Sequence, residues 1–311
     1  MGTIEADSSF TRLTCADLRD GRGEPMTGSD YTCFDVEVRD HIASLVMKRP
    51  EKANSMILEF WRELPQITDE ISTGTDARVV VLSAIGRHFC SGMDLAVFGG
   101  FEEPASGVGG GHSSRARAQF RNTALRAQQT FNAFEQSRLP VIAAVQGACV
   151  GGGVDMVSAC DLRYATQDAF FSIQEINIGM TADVGTLQRM PKLVPEGVVR
   201  ELAYTGRRMG AQEALDRGFV NAVYDDHAAM MEAVDDIAAQ IAAKSPMAIW
   251  GTKQSMNYSR DHSVADGLEY IATWNAAMFD TDDMGEAFRA QMDRREPDFP
   301  DHRPLGKGFG A

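Results

Sequence analysis

The sequence predicts an α/β protein, on three observations. Short apolar runs with the pattern of buried strands alternate with stretches of helical spacing through the first two thirds of the chain. Beyond about residue 225 only helical stretches follow. The 311 residues are 44% hydrophobic, enough for a sizeable core in one large domain with an appendage. Three regions are expected: a poorly ordered tail over 1–30, rich in Gly, Ser, Thr and Asp, a core over 31–224, and a helical region over 225–311.

Taken in order, "FDVEVRDHIASLVMKR" reads as a hairpin turning at Arg39-Asp40. "ILEFWRELPQITDEIS" has helical spacing, and "ARVVVLSAI" is a continuous apolar run bounded by polar residues, as a buried strand requires. The glycine-rich stretch Phe98 to His112 reads as a mobile loop, followed by a long helix, "SSRARAQFRNTALRAQQTFNAFEQS", whose arginines suit a solvated face. "LPVIAAVQG" is a strand, "GGGVDMVSAC" opens a helix, "LRYAT" and "AFFSI" are strands, and "VGTLQRMPKLV" is helical. In the last region Ile249, Trp250, Leu268, Ile271, Trp274, Met278 and Phe288 exceed what one helix layer hides, so they should cover the core or a neighbouring subunit.

Charge and cysteine content exclude several classes. The net charge of -14 disfavours nucleic acid and anionic membranes, which both need a basic footprint. No apolar run reaches membrane-spanning length, and the acidic amino-terminal stretch and the "GKGFGA" end carry no recognised address, so the cytoplasm is the expected compartment. Five cysteines without CxxC spacing argue against a disulfide framework or a zinc site, and no metal is expected.

The chemistry concentrates in two glycine turns and three acids. Gly151 to Gly153 immediately precede a helix, whose first N–H groups are unpaired and can meet an anion. The run is neither a P-loop nor a dinucleotide fingerprint. A second turn, "FCSGMDL" from Phe89 to Leu95, follows the strand "VVVLSA", and N–H groups converging from both turns would form an oxyanion hole. Asp155, Glu175 and Asp183 lie in largely apolar contexts, where an ionised carboxylate is costly unless partnered, so they are either structurally paired or tuned for proton transfer. His88 has no evident carboxylate partner and reads as structural.

These motifs, with "EINIGMTADVGTLQRMPKLV" and "YTGRRMGAQEALDRGFVNAV" downstream, resemble the enoyl-CoA hydratase/isomerase (crotonase) superfamily over Tyr31 to Phe299. The resemblance implies a spiral of repeated ββα units with a carboxyl-terminal helical region that forms trimers or hexamers, an acyl-CoA substrate, and no cofactor apart from the CoA of that substrate. It implies an oxyanion hole from the backbone N–H groups of Met93 and Gly152, and substrate contacts at Lys52, Ala53, Ser55, Ser91, Asp94, Leu95 and Val150. Hydratases of the superfamily place two glutamates at the positions of Asp155 and Glu175 and a glycine at that of Asp183. The third acid instead resembles the branch that shifts the double bonds of a 3,5-dienoyl thioester into 2,4 conjugation during degradation of unsaturated fatty acids. In that branch Asp183 would be the base at carbon 2, Glu175 the protonated donor at carbon 6, and Asp155 would orient Glu175 and keep its proton on. Enoyl-CoA hydration is the alternative, and a crotonase-fold binding protein without turnover is the alternative of another class.

Overall fold

The structure is a computed structural model that describes residues 31–94, 96–97 and 114–305. The expected tail over 1–30, Leu95, and the loop Phe98 to His112 lie outside the described residues. Two sheets organise the core. The larger has the order β1-β2-β3-β4-β6-β9 and the smaller β5-β7-β8. Strand β1 (Phe34–Arg39) pairs antiparallel with β2 (Ile42–Met47), and Arg39 faces Ile42 in the register. The turn is therefore Asp40-His41, one residue later than expected, and both residues take positive φ, 51° and 64°. That is the backbone a two-residue hairpin loop needs to match the strand twist.

The remaining neighbours in the large sheet run parallel: β3 (Val79–Ala84), β4 (Val141–Val145), β6 (Leu162–Thr166) and β9 (Ala222–Tyr224). Between them the chain adds β5 (Ala148–Val150), β7 (Phe170–Ser172) and β8 (Met209–Gly210) to the small sheet, so successive passes lay one strand on each wall. Parallel strands covered on both faces explain why β4 is apolar throughout and β3 is apolar but for Ser83. Val80, Leu82, Val141 and Ala143 enter the main core, whereas Val79, Val81, Ile142 and Ala144 enter a second core on the opposite face.

Helix α1 (Leu58–Gly74) puts Phe60, Leu64, Ile67 and Ile71 on one buried face, although Pro65 stands in its interior. A proline deprives the carbonyl four residues back of its donor. Here that carbonyl, of Trp61, accepts a hydrogen bond from Thr130 Oγ1 at 3.3 Å. Thr130 belongs to α2 (Ser114–Gln136), which packs against α1. Further helices are α3 (Gly152–Ser158), α4 (Thr186–Arg189), α5 (Glu196–Thr205) and α6 (Ala211–Asp216).

The last region is helical, as expected: α7 (His227–Ala242), α8 (Pro246–Asp261), α9 (Val264–Met278) and α10 (Thr281–Asp293). Met230, Val234, Ala238 and Ala242 of α7 close the second core over the large sheet. Helix α8 docks on the carboxyl end of α2, where the Lys253 ammonium donates to Phe134 O (2.6 Å), Leu139 O (2.7 Å) and Asp161 Oδ2 (2.8 Å). A cation there satisfies carbonyls that the helix leaves unpaired. Leu268, Phe288 and Met292 remain exposed. No helix among the described residues is long and apolar enough to cross a membrane.

Replacing Lys253 by Met removes the cation and leaves these acceptors without it. Unfolding in urea is expected to show a loss of about 3 kcal/mol, the order found when one partner of a buried ion pair is deleted.

Candidate active site

The two glycine turns follow β3 and β5, one from each sheet, and lie side by side. Cys90 N donates to Ala148 O (2.9 Å) and Val150 N to Cys90 O (3.0 Å), so the first turn runs as an extra strand along β5. On its other flank Ser91 N donates to Ala53 O, Met56 N to Gly92 O, and Asp94 N to Met56 O. In such a parallel bridge the groups on either side of Met93 face Met56, which turns the N–H of Met93 itself away.

Glycine is required where the turns meet. A Cβ on Gly92, at φ +87°, would lie 2.9 Å from Val150 O, and one on Gly152 would lie 2.9 Å from Met56 Sδ. Met56 thus touches both the turn that carries Met93 and the first residue of α3. Gly152 N–H, at the helix start, has no acceptor within the helix. The site opens at the carboxyl ends of parallel strands, where α/β sheets generally bind ligands.

Asp155 sits in the first turn of α3 and is 1% exposed. Its Oδ1 accepts the Thr186 N–H at 2.6 Å, while Oδ2 has no partner. Burial pushes its carboxyl up to about 6 against the hydrogen bonding from Thr186, and the charge of Asp183 adds to the rise. Glu175 opens a short 3-10 turn, Glu175–Ile178, and its Oε1 would lie 3.2 Å from a Cβ on Gly151. Gly151, at φ +54°, therefore supplies both the backbone bend and the room for this carboxyl. Burial, then the charge of Asp155, push the Glu175 carboxyl up to about 7, and its buried Oε2 lacks a partner. Asp183 is half-buried in the segment before α4, and its carbonyl accepts Gln128 Nε2 at 2.8 Å. The three acids expected from the sequence are therefore linked: Thr186, three residues after Asp183, bonds Asp155, and Asp155 acts electrostatically on Glu175.

Four of the expected substrate-contact residues come together around the first turn. Ala53 bonds Ser91, and Ser55 Oγ donates to Asp94 Oδ2 at 2.7 Å, which together with the Ala96 N–H holds the Asp94 carboxyl below the usual range. Val150, half-buried, lies beside Cys90. Lys52 is exposed on a 3-10 turn, Pro50–Lys52. Its neighbours in sequence are engaged elsewhere, Lys48 with Asp35 (2.8 Å) and Arg49 with Ser55 O (2.5 Å), so the run does not form a compact basic cluster. His88 is structural: its Nδ1 accepts the Ala148 N–H at 3.1 Å. The described cysteines are buried free thiols, and burial pushes Cys33, Cys90 and Cys160 up to about 12.

Sequence reasoning missed Asn54. It is 3% exposed, and it accepts Arg49 N (2.9 Å) while donating to Ile85 O (3.1 Å) and His88 O (2.9 Å), clamping the loop to the first turn. Its φ of 52°, next to Ala53 at 48°, is a local signal, since Asn tolerates the left-handed region better than most residues.

Two glycine turns packed side by side, with two carboxyls of raised pKa next to one of them, are an arrangement suited to acid-base chemistry. The chain belongs to the enoyl-CoA hydratase/isomerase family, which it matches over residues 37–302. It is 43% identical to the mitochondrial Δ3,5-Δ2,4-dienoyl-CoA isomerase of Mus musculus, covering 93% of this chain and 88% of that protein. It is 43% identical to the peroxisomal Δ3,5-Δ2,4-dienoyl-CoA isomerase of Arabidopsis thaliana, covering 88% and 99%. Its fold is that of the crotonases: a crystal structure of enoyl-CoA hydratase from Bacillus anthracis matches with a TM-score of 0.76 and 30% identity, covering 86% of this chain and 99% of that one. These relatives overturn the cytoplasmic expectation, because the isomerases among them are mitochondrial and peroxisomal. Compartment addresses are short, receptor-read segments that leave no mark on a core, so the composition used to infer the location carried little information about it.

Asp155→Asn removes the charge that helps hold the proton on Glu175. The alkaline limb of the kcat–pH profile is expected to move to lower pH in this variant, measured with buffers spanning the region around pH 7.

Proposed function

We propose that the protein isomerises 3,5-dienoyl-CoA to 2,4-dienoyl-CoA in the oxidation of unsaturated fatty acids. The observation that carries this reading is Glu175, a half-buried carboxyl with an unpartnered Oε2, set against the glycine turn and raised to about 7, so that a large fraction of it is protonated at neutral pH. The identity to dienoyl-CoA isomerases over most of the chain supports it.

In the proposed mechanism the thioester carbonyl accepts hydrogen bonds from the Met93 and Gly152 N–H groups. Asp183 removes a proton from carbon 2, and the electron pair moves through the conjugated chain, with negative charge on the thioester oxygen. Glu175 returns a proton at carbon 6, and the double bonds come to rest at carbons 2 and 4. One proton leaves the substrate and one enters it, so the composition is unchanged. Asp155 stays beside Glu175 and opposes its ionisation until the transfer, since adjacent carboxyls do not both ionise cheaply. The chemistry uses carboxyls and backbone donors, with CoA entering as part of the substrate. Lys52, Ala53, Ser55, Ser91, Asp94, Leu95 and Val150 are proposed to contact that substrate.

Self-association into trimers or hexamers is part of this proposal. Its support is the apolar surface on the last helices, including Leu268, Phe288 and Met292, and a groove of about 430 Å³ bordered by Met247, Ile271, Trp274 and Met284. Sedimentation of the purified chain is expected to give three or six times the 33.9 kDa chain mass, and a stable monomer would refute this part.

Ultraviolet spectra of the protein with a 3,5-dienoyl-CoA should show growth of the conjugated 2,4-dienoyl band. Hydration of a 2-enoyl-CoA without that growth would establish the hydratase instead. Asp183→Asn is expected to lower kcat by about 10² to 10⁴ with little change in thermal stability, and equal activity in the variant removes Asp183 as the base. Because the proton on Glu175 is needed, kcat should fall as pH rises through about 7.

A further inference from the structure

Asp183 is the hardest of the three acids to hold in place, because it lies in an irregular segment between the Glu175–Ile178 turn and α4. Three polar contacts hold that segment. Gln128 Nε2 donates to Asp183 O (2.8 Å), Arg189 Nη1 to Val184 O (3.4 Å), and Thr186 N to Asp155 Oδ1 (2.6 Å). Arg189 lies so close behind the chain that a Cβ on Gly185 would stand 1.8 Å from its Nη1.

The Arg189 guanidinium is directed into the protein. Its Nη2 donates to Asn132 Oδ1 and Glu135 Oε2, both at 2.6 Å, and its Nε to Glu135 Oε2 at 3.0 Å. The other oxygen of Glu135, Oε1, accepts Arg260 Nη1 of α8 at 2.5 Å, and Asn257 Nδ2 donates to the Glu135 carbonyl. Burial alone would raise the Glu135 carboxyl, yet the hydrogen bonds and charges of Arg189 and Arg260 hold it below the usual range. Gln128, Asn132 and Glu135 are spaced four and three residues apart, so they form one stripe along α2. Helix α8 braces the far end of the stripe through Lys253, Asn257 and Arg260, which share the same spacing.

We infer that Gln128 and Arg189 are positioning residues for Asp183, and that Glu135, held between Arg189 and Arg260, locks Arg189 in place. The inference rests on the isomerase reading, in which Asp183 takes the carbon 2 proton. Proton abstraction from carbon tolerates little misplacement: a shift of about 1 Å in a reacting group costs as much as about a hundredfold in rate. A hydrogen bond to the backbone of the base sets where its carboxyl stands without contacting substrate, so its loss should act on turnover and spare substrate affinity.

The test uses the full chain with a 3,5-dienoyl-CoA, comparing wild type with Gln128→Met, Arg260→Met and Arg260→Lys, each with its thermal midpoint. Gln128→Met keeps the side-chain length and removes the donor; it should lower kcat about tenfold to a hundredfold and leave KM within about twofold, with the midpoint unchanged. Arg260→Met should lower kcat in the same pattern, and Arg260→Lys, which keeps a cation near Glu135, should recover part of the loss. Unchanged kcat in Gln128→Met with an active wild type overturns the positioning role alone. So does a fall in kcat that is matched by a rise in KM and a lowered midpoint, the signature of general loosening. Wild-type protein without isomerase turnover overturns the isomerase reading, and this inference with it.

Discussion

The 2.6 Å hydrogen bond from the Thr186 N–H to Asp155 Oδ1 ties together the two halves of the site. Asp155 stands on α3, one turn after the glycines, and Thr186 opens α4, three residues after Asp183. Without this bond the Asp155 carboxyl, at 1% exposure, would have neither oxygen partnered, a cost of several kcal/mol for a charged group. With it, the irregular segment that carries Asp183 is held against the helix beside which Glu175 lies. The bond fits an aspartate: a carboxyl one methylene from the helix backbone reaches the main chain of the adjoining segment and is fixed there.

The same burial that makes the acids useful makes them costly. Asp155 and Glu175 both have folded pKa values above those of free carboxyls, about 6 and about 7. A raised value means that the neutral form is favoured by the fold, so this contribution to stability is complete at low pH. It is lost as pH rises through about 6 for Asp155 and about 7 for Glu175. The orphaned Oδ2 and Oε2 oxygens belong to the same strain. Elsewhere buried charge is fully matched, as at Lys253 and at Glu135 between its two arginines. Among the described residues the buried carboxyl oxygens without a partner are those of Asp155 and Glu175, where an unspent hydrogen-bonding capacity can serve the site.

Much of this was legible in the sequence, for identifiable reasons. Strands such as Val79–Ala84 stand out because burial on both faces leaves only Ser83 to interrupt the apolar run, and the helix after the triple glycine is announced by its glycines and by the largely apolar residues that follow. Asp155, Glu175 and Asp183 were visible because a carboxylate among apolar neighbours needs a reason to be there. The hairpin turn was misplaced by one residue because Arg39 and Asp40 both look like turn residues, and only the strand register decides between them. The proximity of Lys48, Arg49 and Lys52 in sequence says nothing of the tertiary partners, Asp35 and the Ser55 carbonyl, that divide them. The stripe Gln128, Asn132 and Glu135 escaped notice for a related reason: on a helix whose neighbouring residues are largely polar, a face that makes tertiary hydrogen bonds has the same composition as one that meets water.

That last failure bears on how the reaction is chosen within one fold. In the proposed reading a hydratase and a dienoyl isomerase share the backbone donors and a carboxyl at each of positions 155 and 175, so the difference reduces to whether a third carboxyl can be held at the carbon 2 end. Placing an Asp at position 183 is not sufficient, since the segment has no regular structure to fix its direction. It must be bonded from behind, which here takes an uncharged donor from α2, a guanidinium in the space that Gly185 leaves, and a counter-carboxylate braced from α8. The specificity of such a site is therefore distributed. The proposed base is one residue, but the structure that holds it extends through two helices, and the helix that completes it belongs to the carboxyl-terminal region.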